Sequence, residues 1–98
     1  MYVVRDIFQL KFGHYKDAKA LLDEAAEKNM LPEQPNRRIL SDFTGDAYRL
    51  IMEHSFPTLA DYEQSLSGSM GKEEWQQWYI KFKDHVVSSH REILKQVF

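Results

Sequence analysis

The stretch from Arg37 to Phe56 limits the fold of this chain more than any other, because its pattern predicts a β-hairpin. Two runs rich in β-branched and aromatic residues flank Gly45 and Asp46, and glycine at the first central position is typical of a two-residue type II′ turn. A turn of this length fixes which residues of the two strands lie opposite each other. The hairpin therefore has a predicted register.

That register gives the hairpin two faces of different character. On one face Asp42 lies opposite Arg49 and Arg38 lies opposite Glu53, so both cross-strand pairs join opposite charges. A slip by one residue would break both pairs, which favours this register over its neighbours. The other face is mostly apolar and consists of Ile39, Ser41, Phe43, Tyr48, Leu50 and Met52, with Phe56 further along.

The N-terminal segment from Tyr2 to Phe12 alternates in the same way and predicts a first strand. Its apolar side carries one acidic residue, Asp6, between Val4 and Phe8. This strand therefore repeats the division of the hairpin into an apolar and a charged face. Its charged side consists of Val3, Arg5, Ile7, Gln9 and Lys11.

The remaining segments predict two helical regions. The segment from His14 to Asn29 has an apolar stripe at helical spacing, and Pro32 and Pro35 then predict a loop. After the hairpin, Thr58 and Asp61 have the spacing of a capping box and predict the start of a second helix.

The second helical region is interrupted between Ser67 and Gly71 and resumes from Lys72 to about Ser88. The segment from Arg91 to Phe98 then predicts a short last strand, although periodicity also allows a helix tail. The resumed helix has an apolar stripe formed by Trp75, Trp78, Tyr79, Phe82 and Val86.

The order strand, helix, strand, strand, helix, strand is that of the ferredoxin-like βαββαβ arrangement, an α+β fold. In this arrangement the first and third strands lie side by side in the middle of an antiparallel sheet, and both helices cover one face. We expect the helices to cover the apolar face, which leaves the charged face bare within one chain. A second copy of the sheet would cover it, so we predict a single domain over residues 1–98 that forms a homodimer.

Composition excludes several classes of function. The chain has 98 residues, a net charge of −2 and interspersed acids and bases, which argues against a nucleic acid or an anionic membrane as partner. It has no cysteine, which excludes disulfides, cysteine-ligated zinc and thiol catalysis. There is no apolar run of membrane-spanning length and no signal-peptide pattern, so we predict a cytoplasmic protein.

Two segments resemble a known family. The segment IFQLKFGHYKDAKALLDEA resembles the opening of NIPSNAP-type proteins, and FTGDAYRLIMEHSFPTLADYEQSL resembles their hairpin and the helix start that follows it. Both are also similar to the wider dimeric α/β barrel superfamily. The opening departs from the family where Asp6 stands in place of an arginine, with Arg5 one residue early.

The resemblance implies a homodimer whose two sheets form one barrel, with a small-molecule pocket in each subunit. Members of the superfamily include proteins of unknown function, cofactor-independent monooxygenases, isomerases and haem-degrading enzymes.

The charged face is the first candidate site. Its arginines could hold a carboxylate or a phosphate in a fork geometry. Alternatively the same residues form ion pairs that seal a subunit interface, and the opposite charges of the predicted register favour this second interpretation. The residues concerned are Arg5, Gln9, Arg38, Asp42, Arg49 and Glu53.

The space between the helices and the apolar face is the second candidate site. Asp6 is its catalytic candidate, because burial would raise the pKa of this carboxyl and make it a proton acceptor for an aromatic substrate. Alternatively Asp6 lies at a strand end or pairs with a nearby lysine or histidine. The ligand-binding candidates are Tyr15, Trp75, Trp78, Tyr79 and His85.

No cofactor or metal is predicted. The aromatic stripe beside His85 is similar to haem-degrading members, but the asparagine expected on their first strand is absent and Leu66 stands near their tryptophan position. No glycine-rich phosphate loop is present. The four histidines share no helix or strand face at metal-ligand spacing; they are His14, His54, His85 and His90.

These observations predict a small-molecule-binding homodimer of the NIPSNAP-like type, with an unknown ligand. The alternatives are a cofactor-independent monooxygenase acting on an aromatic compound and a purely structural association module. An unfilled cavity would separate the first two from the third.

Overall fold

The computed structural model describes residues 1–28, 36–69 and 73–98 of the chain. The predicted loop at Pro32 and Pro35, the predicted helix end at Asn29, and Gly71 and Lys72 lie outside these ranges. The elements are β1 (Tyr2–Leu10), α1 (Tyr15–Glu27), β2 (Arg38–Ser41), β3 (Arg49–Phe56), α2 (Leu59–Ser69), α3 (Glu73–Lys83) and β4 (Val86–Lys95).

The four strands form one antiparallel sheet in the order β2-β3-β1-β4. This order places β1 and β3 in the middle, and the predicted ferredoxin-like α+β fold is confirmed. The hairpin register is confirmed as well, because Arg38 pairs with Glu53 and Ser41 pairs with Leu50. The pairing of β1 with β3 places Arg5 opposite Glu53.

The predicted two-residue turn is wrong. Strand pairing ends at Ser41, and residues 42–48 form a loop in which Ala47 and Tyr48 both have positive φ. Gly45 is needed for a close approach, because a Cβ at this position would lie 3.1 Å from the Arg49 guanidinium. The longer loop also leaves Phe43, a predicted core residue, fully exposed.

The boundary between α3 and β4 also differs from the prediction. The helix ends at Lys83 instead of Ser88, and Val86 joins the core from a strand. An apolar pair four residues apart, here Phe82 and Val86, fits one helical face, so periodicity could not detect the change. The segment from Arg91 onward, for which periodicity allowed either a strand or a helix tail, is a strand that ends at Lys95.

The core lies between α1, α3 and the ends of β1 and β3 near the 42–48 loop. The small α1 residues Ala18 and Ala25 are fully buried, and the Trp78 indole N–H donates to the Leu21 carbonyl at 2.6 Å, which joins α3 to α1. The residues of this core are Leu10, Ala18, Leu22, Ala25, Leu50, Trp78 and Phe82.

The start of α2 carries the predicted cap. The Asp61 amide donates to the Thr58 hydroxyl at 3.1 Å, and that hydroxyl donates to the Asp61 carboxylate at 2.8 Å. This satisfies one of the free amides of the first helical turn. Among the described residues, no helix has the length and hydropathy needed to cross a membrane.

Candidate functional site

A cavity of about 520 Å³ lies between α2, α3 and the helix-covered face of the sheet. It adjoins the core at Trp78 and Phe82. On the sheet it is lined by the part of β1 from Val4 to Phe8. Phe56 at the end of β3 is buried and meets the Tyr62 ring of α2 edge-on at 5.4 Å, so α2 covers this end of the sheet. The space therefore lies between the sheet and both helices that follow the hairpin, and it is partly open to solvent.

Aromatic rings form much of the cavity lining. Trp78 stacks on Phe82 with ring centroids 5.0 Å apart, and Phe82 meets Phe8 of β1 edge-on at 5.1 Å. Trp75 stacks on Tyr79 at 5.1 Å, one turn earlier on α3. Stacked and edge-on pairs of this kind hold rings in fixed orientations, which gives the cavity flat walls.

One ion pair borders the cavity. The Arg91 Nε donates to the Asp6 carboxylate at 2.5 Å, across the pairing of β1 with β4. The hydrogen bond to Asp6 raises the pKa of the Arg91 guanidinium, which also lies 5.7 Å from the centre of the Tyr62 ring. Arg91 therefore links Asp6 to α2, and its charge is already compensated.

Two further polar groups line the cavity. The Tyr62 hydroxyl is buried without a hydrogen-bond partner among the described residues, and burial raises its pKa. His54 of β3 is only 6% exposed, and burial lowers the pKa of its imidazole from the ordinary value of 6.5. His54 is therefore mostly neutral at pH 7, so one ring nitrogen can donate a hydrogen bond and the other can accept one.

The structure brings most residues predicted for this site together. Asp6, Trp75, Trp78 and Tyr79 all line the cavity. Tyr15 lies outside it and packs against the core from the first turn of α1.

His85 also lies outside the cavity. The predicted helix ends before this residue, which occupies the turn between α3 and β4, beside His14.

Several polar residues of the cavity lining were not predicted from the sequence, among them His54, Tyr62 and Arg91. His54 carried a detectable signal, because it alternates with Met52 and Phe56 on the predicted apolar face. Arg91 carried none, since its position opposite Asp6 depends on the register of β4.

The charged residues of the uncovered face bind one another. Arg5 donates to Glu53 from two nitrogens, at 3.1 and 3.3 Å, and Arg38 donates to the other Glu53 oxygen. The hydrogen bond from Arg38, followed by that from Arg5, holds the pKa of Glu53 below its ordinary value of 4.5, against the effect of burial. Asp42 accepts from Arg49 at 2.8 Å, and this bond lowers the pKa of Asp42.

Gln9 completes this network by donating to the Ala47 carbonyl at 3.0 Å. Arg5 and Arg38 are thus both engaged with Glu53, and Arg49 is engaged with Asp42. An anion would have to compete with that carboxylate, so this geometry favours an ion-paired surface over an anion site.

Metal-ligating groups meet at a third place. His14, Asp17 and His85 have ligand atoms within 4.8 Å of one another, outside the cavity. The prediction that the histidines lack metal-ligand spacing considered only neighbours in sequence, whereas tertiary structure joins residues 71 positions apart.

The chain matches no family model and no curated protein sequence. It is similar to solved structures at low identity. A NIPSNAP family protein from Agrobacterium tumefaciens superposes with a TM-score of 0.85 at 18% identity, covering 96% of this chain and 90% of the other. An uncharacterised NIPSNAP-like domain protein from Burkholderia xenovorans gives a TM-score of 0.86 at 14% identity, covering 99% and 86%.

A second group of structures is similar over the same length. A protein from Nitrosomonas europaea described as a putative antibiotic biosynthesis monooxygenase gives a TM-score of 0.71 at 16% identity, covering 100% of both chains. At these identities the likeness is one of fold. The chain has the ferredoxin-like α+β fold of NIPSNAP proteins, as its sequence resemblance implied.

Proposed function

We propose that this chain binds a small, mostly apolar molecule in the cavity under α2 and α3. The observation that carries the proposal is an aromatic-lined space of about 520 Å³ with Tyr62, whose buried hydroxyl has no partner among the described residues, in its lining. Small-molecule sites are typically concave and mostly apolar with a few polar groups, and an unpaired buried polar group costs about 1–3 kcal/mol. A ligand that fills the space and reaches the Tyr62 hydroxyl, after a small movement of that ring, would supply the missing hydrogen bond. This supports a binding protein over a purely structural module.

The lining favours a flat, neutral ligand with one hydroxyl or carbonyl group. Stacked rings of α3 offer flat apolar walls, while Tyr62 and neutral His54 offer hydrogen bonds. Arg91 is already paired with Asp6, so an anion would find no uncompensated charge in that pair.

The test is a titration with 2-naphthol, followed by quenching of the tryptophan fluorescence. We expect Tyr62→Phe to weaken naphthol binding about 5- to 10-fold, the equivalent of one hydrogen bond. Tyr2→Phe is the matched control, because Tyr2 lies outside the cavity, and it should bind as the wild type does.

A second pair of variants tests the location. Leu66→Phe fills the cavity and should abolish binding, whereas Leu59→Phe adds the same ring to an exposed position of α2 and should not. Undiminished binding to Leu66→Phe would place the ligand elsewhere and contradict the proposal. Absence of binding to the wild type would contradict the ligand class.

We further propose that two copies associate through the uncovered face of the sheet. Exposed Leu40 and Leu94 lie on this face with buried Ile7, and the charges beside them are paired internally. Paired charges lower the cost of removing the face from water. Light scattering should give a mass near twice the 11.6 kDa of one chain. Leu40→Glu should reduce it to a monomer, and Leu59→Glu on α2 should not.

The second candidate function is cofactor-independent oxygenation of an aromatic compound. Neutral His54 at the cavity is the observation that favours it, since Asp6 is already engaged with Arg91. Anthrone is a suitable substrate, because one O₂ converts its methylene to the carbonyl of anthraquinone and yields one water. A rate above the background that falls at least about tenfold in His54→Gln would support it. A rate equal to the background would contradict oxygenation and leave the proposal of a binding protein.

The cytoplasmic location stays a prediction.

A further inference from the structure

Three side chains that commonly bind metals lie together outside the cavity. The Nδ1 atoms of His14 and His85 are 2.9 Å apart, and the ligand atoms of these two residues and Asp17 all lie within 4.8 Å of one another. Both imidazoles are half-buried, and Asp17 is exposed. The cluster therefore has two positioned nitrogen ligands and one carboxylate that is open to solvent.

The backbone holds these ligands in place from two sides. His14 immediately precedes α1, and Asp17 follows in the first turn of that helix. His85 occupies the turn between α3 and β4, where its carbonyl accepts from the Lys11 amide at 2.9 Å and its amide donates to the Phe82 carbonyl at 3.0 Å. The His14 amide in turn donates to the Lys11 carbonyl at 3.0 Å. Lys11 thus connects the segments that carry the two histidines.

The distances suit a divalent transition metal. Zinc binds imidazole nitrogen at about 2.0–2.1 Å, so two nitrogens on one ion lie roughly 3–3.4 Å apart. The observed 2.9 Å between the two Nδ1 atoms needs only a small opening to reach this range. Two histidines and one carboxylate leave a fourth tetrahedral position for water, as in open zinc sites. We propose that His14, Asp17 and His85 bind a divalent metal ion of the zinc class.

In the protein without metal, the same distance fits a hydrogen bond from a protonated Nδ1 to an unprotonated one. Metal binding requires both Nδ1 atoms to be unprotonated, so each ring then carries its hydrogen on Nε2. The positive end of α1 opposes a cation at this place, and the Asp17 carboxylate compensates for it. Asp17 should therefore contribute to affinity as a charge as well as a ligand.

The test is titration of tag-free, chelator-treated protein with Zn²⁺ by calorimetry and with Co²⁺ by visible absorption. We expect one equivalent to bind, with His14→Gln and His85→Gln each weakening affinity about 10- to 100-fold or more, as loss of metal-supporting groups does. His90→Gln removes an exposed histidine of β4 outside the cluster and should leave affinity unchanged. Asp17→Asn should weaken binding by a smaller factor.

Thermal melting provides a second readout. Zn²⁺ should raise the melting temperature of the wild type and of His90→Gln but not of His14→Gln or His85→Gln, because an ion that binds only the folded state stabilises it. Far-ultraviolet circular dichroism without metal checks that each variant is folded. Equal affinity in wild type, His14→Gln and His85→Gln, or absence of stoichiometric binding to the wild type, would overturn the proposal.

Discussion

Each face of the sheet carries an acidic residue bound by arginine, and the two differ in how they are surrounded. Asp6, on the face covered by helices, has Arg91 as its partner and borders an open cavity. Glu53, on the face that no described helix covers, is bound by two arginines and is only 5% exposed. Asp6 is thus less tightly surrounded by other side chains than Glu53 is.

This difference shows that whether helices cover a sheet face and how tightly the side chains of that face pack are separate properties. On the uncovered face, arginine side chains close over Glu53 while their charged ends stay in water, and Leu40 and Leu94 remain exposed. The covered face is well packed near α1 but leaves space under α2. Ligand binding is therefore expected on the covered face and association on the uncovered one.

The largest effect is expected in the packed part of the covered face. Phe82→Ala should destabilise the protein by about 3–5 kcal/mol in urea unfolding, because Phe82 is buried and contacts Phe8 and Trp78. Phe43→Ala is the matched control and should change stability by less than about 0.5 kcal/mol, since its ring is fully exposed. A large loss for Phe43→Ala would mean that something covers this ring in solution.

On the uncovered face, Glu53→Gln should cost about 1–3 kcal/mol at pH 7, because two arginines lose a buried carboxylate partner. The pKa of Glu53 is lowered in the folded protein, so the unfolded state binds more protons at low pH. The stabilisation is present above the ordinary value of 4.5 and is lost as the pH falls through the folded value. The gap between wild type and variant should therefore narrow below about pH 4.

If the difference in the free energy of unfolding between wild type and Glu53→Gln stays constant down to pH 3, the charge of Glu53 is not the source of the destabilisation. Asp61→Asn, at the exposed start of α2, provides a comparison for loss of a carboxylate outside the network.

A third effect comes from His54 and should be smaller. Burial lowers the pKa of His54, so its contribution to stability is present above the ordinary value of 6.5 and is lost as the pH falls below it. The loss can reach about 1.4 kcal/mol per pH unit in this window, and His54→Gln should remove it. His90→Gln, which alters an exposed residue, should keep the wild-type profile. Identical profiles for His54→Gln and wild type would contradict the burial of His54.

The smallest effect has the opposite sign. Tyr62→Phe removes a buried hydroxyl without a partner and should raise stability by about 0.5–1 kcal/mol, visible as a higher melting temperature. Tyr2→Phe should leave it unchanged. A destabilised Tyr62→Phe would show that the hydroxyl has a partner in the free protein, and the argument for a ligand hydrogen bond would then fail.

The sequence predicted those features whose signals lie within one or two neighbouring elements. The hairpin register was derived from a two-residue turn and supported by the opposite charges of Arg38 and Glu53. The structure pairs these two residues as predicted, although it lacks that turn. The strand order followed from the order of elements along the chain. Neither inference needed knowledge of how distant segments meet.

Other features depend on contacts that periodicity cannot detect. The 42–48 loop replaces a tight turn because Ala47 and Tyr48 adopt positive φ, which no local preference for these residue types predicts. Helix α3 ends at Lys83, earlier than predicted, because residues from Val86 onward pair with β1. Arg91 beside Asp6, and His85 beside His14, are consequences of that same strand, so the site could be predicted only in part.

The position of β1 also has a consequence for the order of events in folding. This strand is synthesised first, yet it pairs with β3 and then with β4, and its ion pair from Asp6 joins residues 85 positions apart. Contacts over such separations close slowly, because loop entropy is lost before the contact compensates for it. During synthesis β1 must therefore wait for its second neighbour, and the edge that β4 covers stays available to other chains until β4 has left the ribosome.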